Sequence, residues 1–180
     1  MTNIETFFIE DNKLLIFDGL FSEEEIKHNF ALVSLANFSF LHSSRDDTTA
    51  YREWAAPFSA DDFSTHPLHN IFLNTAEQHS QLKNRICYDV FCSASTFGDM
   101  SFIHSDSTEE DTISVLYYCN HQWNSEWGGE TIFYDSNNEA RIAISVKPGR
   151  IVVFNGSLRH RAGVPNRICP EVRLTLSTRY

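Results

Sequence analysis

Lys147-Pro148-Gly149-Arg150-Ile151-Val152-Val153-Phe154-Asn155-Gly156 is a strand held between two turns. Proline presets the backbone ahead of a glycine in Pro148-Gly149, and Asn155-Gly156 is a pair that readily takes the left-handed conformation of a tight turn. Between them, 150–154 is rich in the β-branched and aromatic side chains that suit a pleated, buried surface. The same grammar repeats from Arg85 to Tyr180. Phe97-Gly98-Asp99, Trp127-Gly128-Gly129 and Ser136-Asn137-Asn138 are further turns. They separate candidate strands at 85–95, 100–104, 112–119, 130–134, 140–146, 150–154, 157–161 and 172–179.

Upstream, Leu14–Phe17 reads as a short strand ended by Asp18-Gly19. Ser22 and Glu25 form a capping box, with Glu23 and Glu24 favouring the positive end of a helix. That helix is expected from Ser22 to Leu35, burying Ile26, Phe30 and Val33. A second is expected from Pro67 to Gln81, with Leu68, Phe72 and Ala76 on one side. Residues 36–67 are less regular: 38–41 could be a strand, and 43–49 is polar and loop-like. Two helices followed by about eight short strands imply a mainly β fold with flanking helices: a jelly-roll or cupin-like barrel buttressed by the N-terminal helices. With no repeat or linker in view, residues 1–180 read as one domain.

Composition narrows the function classes. Hydrophobic residues at 42% and charged residues at 21% describe a globular chain. Fifteen Phe suit a sheet-rich core or an apolar cleft, and the sequence does not separate the two. A net charge of −10 argues against a nucleic-acid partner, because gripping phosphates takes clustered Lys and Arg. No apolar run approaches the roughly 20 residues of a membrane span. Cys87, Cys92, Cys119 and Cys169 form no CxxC pair, and no secretory signal precedes them. Reduced thiols in a cytoplasmic protein are expected.

The chemistry concentrates in His104-Ser105-Asp106 and, far downstream, His160. In extended backbone, residues i and i+2 point the same way, so His104 and Asp106 aim at one point and Ser105 turns away. Taken alone, His-x-Asp is a weak signal. Returning strands in the 56-residue gap can bring His160 beside the pair. Two imidazoles and a carboxylate, with other positions open, suit non-heme Fe(II). The same set also serves catalytic zinc, but there is no HExxH stretch. His28, His42, His66, His69 and His79 have no second candidate ligand at strand spacing. His121, in a loop-like stretch, reads as structural.

Val172-Arg173-Leu174-Thr175-Leu176-Ser177 alternates, so Arg173 and Thr175 share a face. A guanidinium inside a barrel requires an anion, and a bidentate carboxylate satisfies it. An internal Asp or Glu, or an exposed edge strand, would also account for it. In Tyr117-Tyr118 only one ring faces inward; Tyr118 is a candidate donor to the same carboxylate, and ordinary packing an equal alternative.

Four stretches carry a family likeness: Phe102-Ile103-His104-Ser105-Asp106; Leu116-Tyr117-Tyr118-Cys119-Asn120; Trp127-Gly128-Gly129-Glu130-Thr131-Ile132-Phe133; and Pro148-Gly149-Arg150 through Leu158-Arg159-His160 to Arg173-Leu174-Thr175. They resemble the prolyl 4-hydroxylase-like branch of the 2-oxoglutarate/Fe(II)-dependent dioxygenases. The likeness spans about residue 85 to 180. It implies a double-stranded β-helix with His104, Asp106 and His160 as the Fe(II) ligands. It also implies Arg173, assisted by Tyr118 and Thr175, at the distal carboxylate of 2-oxoglutarate. O₂ would be the oxidant, succinate and CO₂ the co-products, and ascorbate an admissible reductant. The interval from His160 to Arg173 is longer than in some relatives. The implied reaction is hydroxylation of a C–H bond on a prolyl or other amino-acid residue of a protein or peptide. A free amino acid or small metabolite stays open as substrate, because fold does not fix substrate. So does a cupin-type metalloenzyme that uses no keto acid. Residues 36–67 and the 123–129 loop are the expected lid, with Arg45, Tyr51, Arg52, Trp54 and Trp127 as candidate substrate contacts.

Overall fold

The computed structural model describes residues 2–109 and 111–180. In chain order they form β1 (Asn3–Ile9), β2 (Asn12–Asp18), α1 (Glu23–Ser34), β3 (Ser39–His42), β4 (Glu53–Pro57), α2 (Ala60–Ser64) and α3 (Pro67–Ser80). Then follow β5 (Asp89–Ser95), β6 (Ile113–Tyr118), β7 (Thr131–Tyr134), β8 (Ala140–Ile144), β9 (Ile151–Asn155), β10 (His160–Ala162) and β11 (Arg173–Arg179). An eight-stranded sheet runs β1-β2-β9-β6-β11-β5-β4-β3, and a three-stranded sheet runs β10-β7-β8. Neighbouring strands in both sheets pair antiparallel. The chain is mainly β, with the two facing sheets of a double-stranded β-helix.

Alternation along the central strands explains both layers of core. On β6, Val115 and Tyr117 face the helices, while Ser114, Leu116 and Tyr118 face the barrel interior. On β11, Leu174 and Leu176 pack toward the helices, which leaves Arg173 and Thr175 inside. The helix-side core joins these residues to Val33 of α1, Phe63 of α2, and Leu68, Phe72 and Ala76 of α3. The inter-sheet core joins Leu14, Ile16, Val152 and Phe154 to Phe133 and Ile144.

The helices start where capping chemistry says they should. Ser22 accepts from the Glu25 amide, and Glu25 reaches back to the Ser22 amide at 2.8 Å. Pro67 opens α3 at the position where its missing N–H costs nothing. Val33 is buried in α1 as expected; Ile26 and Phe30 are half-buried, and Asn29 takes the inward place, donating to the Tyr117 hydroxyl at 3.3 Å.

Three expectations need correction. Residues 100–104 form no strand; only a single bridge at His104 survives, because Asp99 folds back to the Thr96 amide and turns the chain. Residues 36–67 are not simply a lid. β3 and β4 extend the large sheet through β4–β5 pairing, and α2 packs Phe63 into the core. β1 adds a strand ahead of the first one expected. Its side chains are exposed except at the half-buried Phe7 and buried Ile9, as at the edge of the large sheet, although Ile4, Phe7, Phe8 and Ile9 give it the apolar content of a strand. The cysteines are free thiols. No helix of the described residues is long and apolar enough to cross a membrane.

Asp18, at the end of β2, ties the barrel to the β8–β9 turn. It accepts from Lys147 Nζ at 2.8 Å and from Arg150 Nε and Nη2 at 2.9 and 2.8 Å. The Arg150 fork leads the influences that hold its carboxyl below the usual aspartate range, against the opposing effect of burial. A depressed folded pKa means this stabilisation is present above the unfolded value and is lost as pH falls through the folded one. Asp18→Asn is expected to lower stability at pH 7 by about 2–3 kcal/mol, as for a lost charge-assisted bond. Urea melts at pH 7 and pH 3 check this: the deficit of the variant should shrink in acid.

Candidate metal and co-substrate site

His104 and His160 meet across the smallest unit of antiparallel sheet. Each backbone amide donates to the other's carbonyl at 2.9 Å, which fixes the two Cα positions face to face. Their rings lie 4.4 Å apart between centroids. The Asp106 amide donates to the Gly156 carbonyl at 2.8 Å, inside the Asn155-Gly156 turn that ends β9. That bond sets Asp106 beside the pair, and the Ser105 side chain points away to the Ser157 carbonyl.

The three residues offer ligand atoms that all lie within 4.8 Å of one another. Asp106 Oδ1 is 3.7 Å from His104 Nε2, and Oδ2 is 3.8 Å from His160 Nε2. Both imidazoles are oriented in the same way. Nδ1 of His104 is 2.9 Å from the Phe102 carbonyl and Nδ1 of His160 is 2.9 Å from the Leu158 carbonyl. A carbonyl only accepts, so each Nδ1 carries the proton and each Nε2 presents a lone pair toward Asp106. That is the tautomer a metal ligand needs. Burial, then His160, depress the pKa of His104. Burial is the largest influence on Asp106 and pushes its pKa up, yet His160, Arg179, His104 and the Ser114 hydroxyl together bring it down to about 2. At neutral pH the cluster therefore holds a carboxylate beside a neutral His104, a donor set fit for a divalent cation.

Arg173 lies deeper in the same cleft and is 2% exposed. It donates from Nε to the Gly129 carbonyl at 2.7 Å, from Nη1 to Thr175 Oγ1 at 2.6 Å and from Nη2 to Thr131 Oγ1 at 3.1 Å. Gly129 has φ +84°, and a Cβ there would sit 3.1 Å from Arg173 Cδ. The glycine pair in Trp127-Gly128-Gly129 thus lets the chain cross directly over the guanidinium. Among the described residues no carboxylate pairs with Arg173. A buried guanidinium held only by neutral acceptors calls for an anion from outside the chain.

Tyr118 is fully buried with its ring centre 5.4 Å from the Arg173 guanidinium carbon. Its hydroxyl is engaged with Thr131 Oγ1 at 2.8 Å and the Ile144 carbonyl at 3.2 Å. Thr175 lines the cleft. Of the expected substrate contacts, Trp54 lines the cleft, whereas Trp127 packs on Trp123 outside it. Arg45 is held by Asp47 and the Ile103 carbonyl, Tyr51 packs on Phe102, and Arg52 donates to the Leu41 carbonyl. His121 packs against Phe30, as a structural histidine would.

Two residues that sequence reasoning passed over stand behind Asp106. Arg179 donates to Oδ1 at 2.7 Å and Ser114 to Oδ2 at 2.6 Å. A signal for Arg179 exists in the sequence: six residues after Arg173 on an alternating strand is the same face. Ser114 carries none, because its pairing with Asp106 is made only by folding. The cleft these groups share has a volume of about 220 Å³ and is also lined by His42, Glu53, Trp54, Asp99 and Met100.

Residues 90–178 match the model of the 2OG-Fe(II) oxygenase superfamily. Several solved structures share the fold. One is a prolyl hydroxylase from Trichoplax adhaerens in complex with a hypoxia inducible factor oxygen degradation domain peptide, 17% identical, covering 93% of this chain and 82% of that one at TM-score 0.66. Another is HygX from Streptomyces hygroscopicus with nickel and 2-oxoglutarate bound, 11% identical, with coverages of 92% and 81% and TM-score 0.67. A third is SnoK, a non-heme alpha ketoglutarate dependent carbocyclase from nogalamycin biosynthesis, 14% identical, with coverages of 93% and 78% and TM-score 0.66. No match is found among curated proteins.

Proposed function

We propose that this chain, whose residues 90–178 match the model of the 2OG-Fe(II) oxygenase superfamily, is an oxygenase that uses Fe(II), 2-oxoglutarate and O₂ and that it hydroxylates a C–H bond on a prolyl or other amino-acid residue of a protein or peptide. His104, Asp106 and His160 would hold the iron. Arg173 would bind the distal carboxylate of 2-oxoglutarate, with Thr175 and Tyr118 fixing its guanidinium. The observation that carries this reading is the meeting of two complementary binding features in one cleft. Three ligand atoms converge within 4.8 Å, and in the same cleft lies a buried guanidinium that no carboxylate of the described residues pairs with.

Each group has a definable task. The Phe102 and Leu158 carbonyls keep the Nε2 lone pairs of His104 and His160 free by holding the Nδ1 protons. Arg173 supplies two-point binding, which aligns a keto acid rather than merely attracting it. Tyr118, Thr131 and Thr175 restrict the guanidinium to one orientation. Iron held by His104, Asp106 and His160 would supply the oxygen chemistry, and the apolar walls from Leu116 and Phe154 would limit water around it.

A peptide substrate needs surface around the cleft. Trp54 and Met100, both lining the cleft, are 43% and 50% exposed. The small volume of the cleft also admits a second reading, a free amino acid or small metabolite, and one experiment addresses both. Succinate formation under oxygen is measured against prolyl peptides, other peptides, free amino acids and a no-substrate control. Stimulation by prolyl peptides above all others is the expected result. Stimulation by free amino acids alone replaces the peptide reading, and absence of succinate with every substrate removes the proposed reaction.

A further inference from the structure

Resting on His104, Asp106 and His160 as the proposed metal site, we infer that Arg179 is the positioning residue of Asp106, holding its carboxylate in the orientation in which a divalent cation can be bound. Asp106 sits just beyond the β-bridge at His104, so its backbone alone does not determine where the carboxylate points. Two donors do. Arg179 Nη2 donates to Oδ1 at 2.7 Å and Ser114 Oγ to Oδ2 at 2.6 Å, one donor for each oxygen. Rotation of the carboxylate would break both bonds at once.

Arg179 is itself held in place. Nη1 donates to Asp89 Oδ2 at 2.6 Å, and the guanidinium carbon stands 5.3 Å from the centre of the Phe91 ring. Asp89, Phe91 and Arg179 belong to paired strands, β5 and β11, with Arg179 directly opposite Asp89. The anchor therefore derives from the rigid sheet and not from a loop. Asp89 has a second effect. A cation beside a metal ligand would repel an incoming cation, and Asp89 offsets that charge while leaving the hydrogen bonds intact. The row Asp89–Arg179–Asp106 thus orients a carboxylate without adding net positive charge to the site.

Titration of the apo protein with Co(II), followed by the ligand-field absorption of the bound ion, tests this. Arg179→Gln is expected to weaken Co(II) binding about 10- to 100-fold, the usual effect of losing an outer partner of a metal ligand. It should also alter the absorption envelope of the bound ion. The melting temperature of the apo protein is expected to fall as well, because the bonds to Asp89 and Asp106 are lost, so Co(II) affinity is compared at a temperature where both proteins are folded. Arg179→Lys keeps the cation but cannot grip two carboxylates with a planar fork, and should show a smaller loss. It carries the test if the glutamine variant does not fold. Parental Co(II) affinity in a folded variant overturns the inference, and so does tighter binding, which would mean that charge repulsion outweighs orientation. His104→Ala in the same titration separates the two levels. If that variant binds Co(II) like the parent, the metal site itself is misassigned and the role of Arg179 falls with it. If it loses Co(II), the metal site holds and the Arg179 variants decide the inference on their own.

Discussion

Arg173→Gln is expected to weaken 2-oxoglutarate binding by about 30- to several-thousand-fold, the range that follows from losing one partner of a buried charge pair at about 2–5 kcal/mol. The reason lies in what surrounds Arg173. Its neighbours are a backbone carbonyl and two threonine hydroxyls, all neutral, at 2.6–3.1 Å. Among the described residues no carboxylate pairs with Arg173, so a bound 2-oxoglutarate carboxylate would be its one anionic partner. Thermal shift gives a readout independent of turnover. With Mn(II) present, 2-oxoglutarate should raise the melting temperature of the parent, by the linkage that binding to the native state imposes. The variant should show no rise at the same concentration. Because Gln also removes an isolated buried charge, the variant is expected to fold; an equal thermal shift in both proteins would remove Arg173 from the co-substrate site.

His160→Ala is expected to abolish activity and to reduce metal affinity by more than the roughly 10- to 100-fold that losing an outer-sphere partner brings. His160 is 5% exposed, its ring lies 4.7 Å from Phe154 and 5.7 Å from Phe133, and its Nδ1 is committed to the Leu158 carbonyl. The rings that wall the space left by Ala are apolar and offer no replacement ligand. Metal content after anaerobic loading, measured beside succinate formation, checks both effects. A His160→Ala protein that retains iron at parental stoichiometry would show that the three-residue cluster is not the metal site.

Much of the fold is legible from turn chemistry. Pro148-Gly149, Asn155-Gly156 and the Ser22/Glu25 box act within a few residues, so their structural consequence is local and visible in the sequence. Gly129, with φ +84°, is a further case: its conformation is unfavourable for any side chain, and it permits the close approach to Arg173. β4 is hidden for the opposite reason. Glu53-Trp54-Ala55-Ala56-Pro57 has weak strand propensity, and its extended form comes from pairing with β5. The bridge at His104 likewise owes its form to His160, more than 50 residues away in sequence.

At the site, the order of residues along the chain sets which chemical groups are on hand and which of them share a face. The alternation through Arg173, Thr175 and Arg179 follows from strand geometry, whereas His104 and Asp106 lie outside any strand and are brought together by the bridge to His160 and the bond from the Asp106 amide to the Gly156 carbonyl. How those groups are used is settled only in the folded chain. Folding places carbonyls behind both imidazoles, leaves Arg173 among neutral acceptors, and joins Arg179 and Ser114 to the two oxygens of Asp106. Periodicity reports the direction of a side chain, a property of local backbone. Hydrogen-bond partners and charge balance depend on which strands come together, and that is set when the two sheets close on one another.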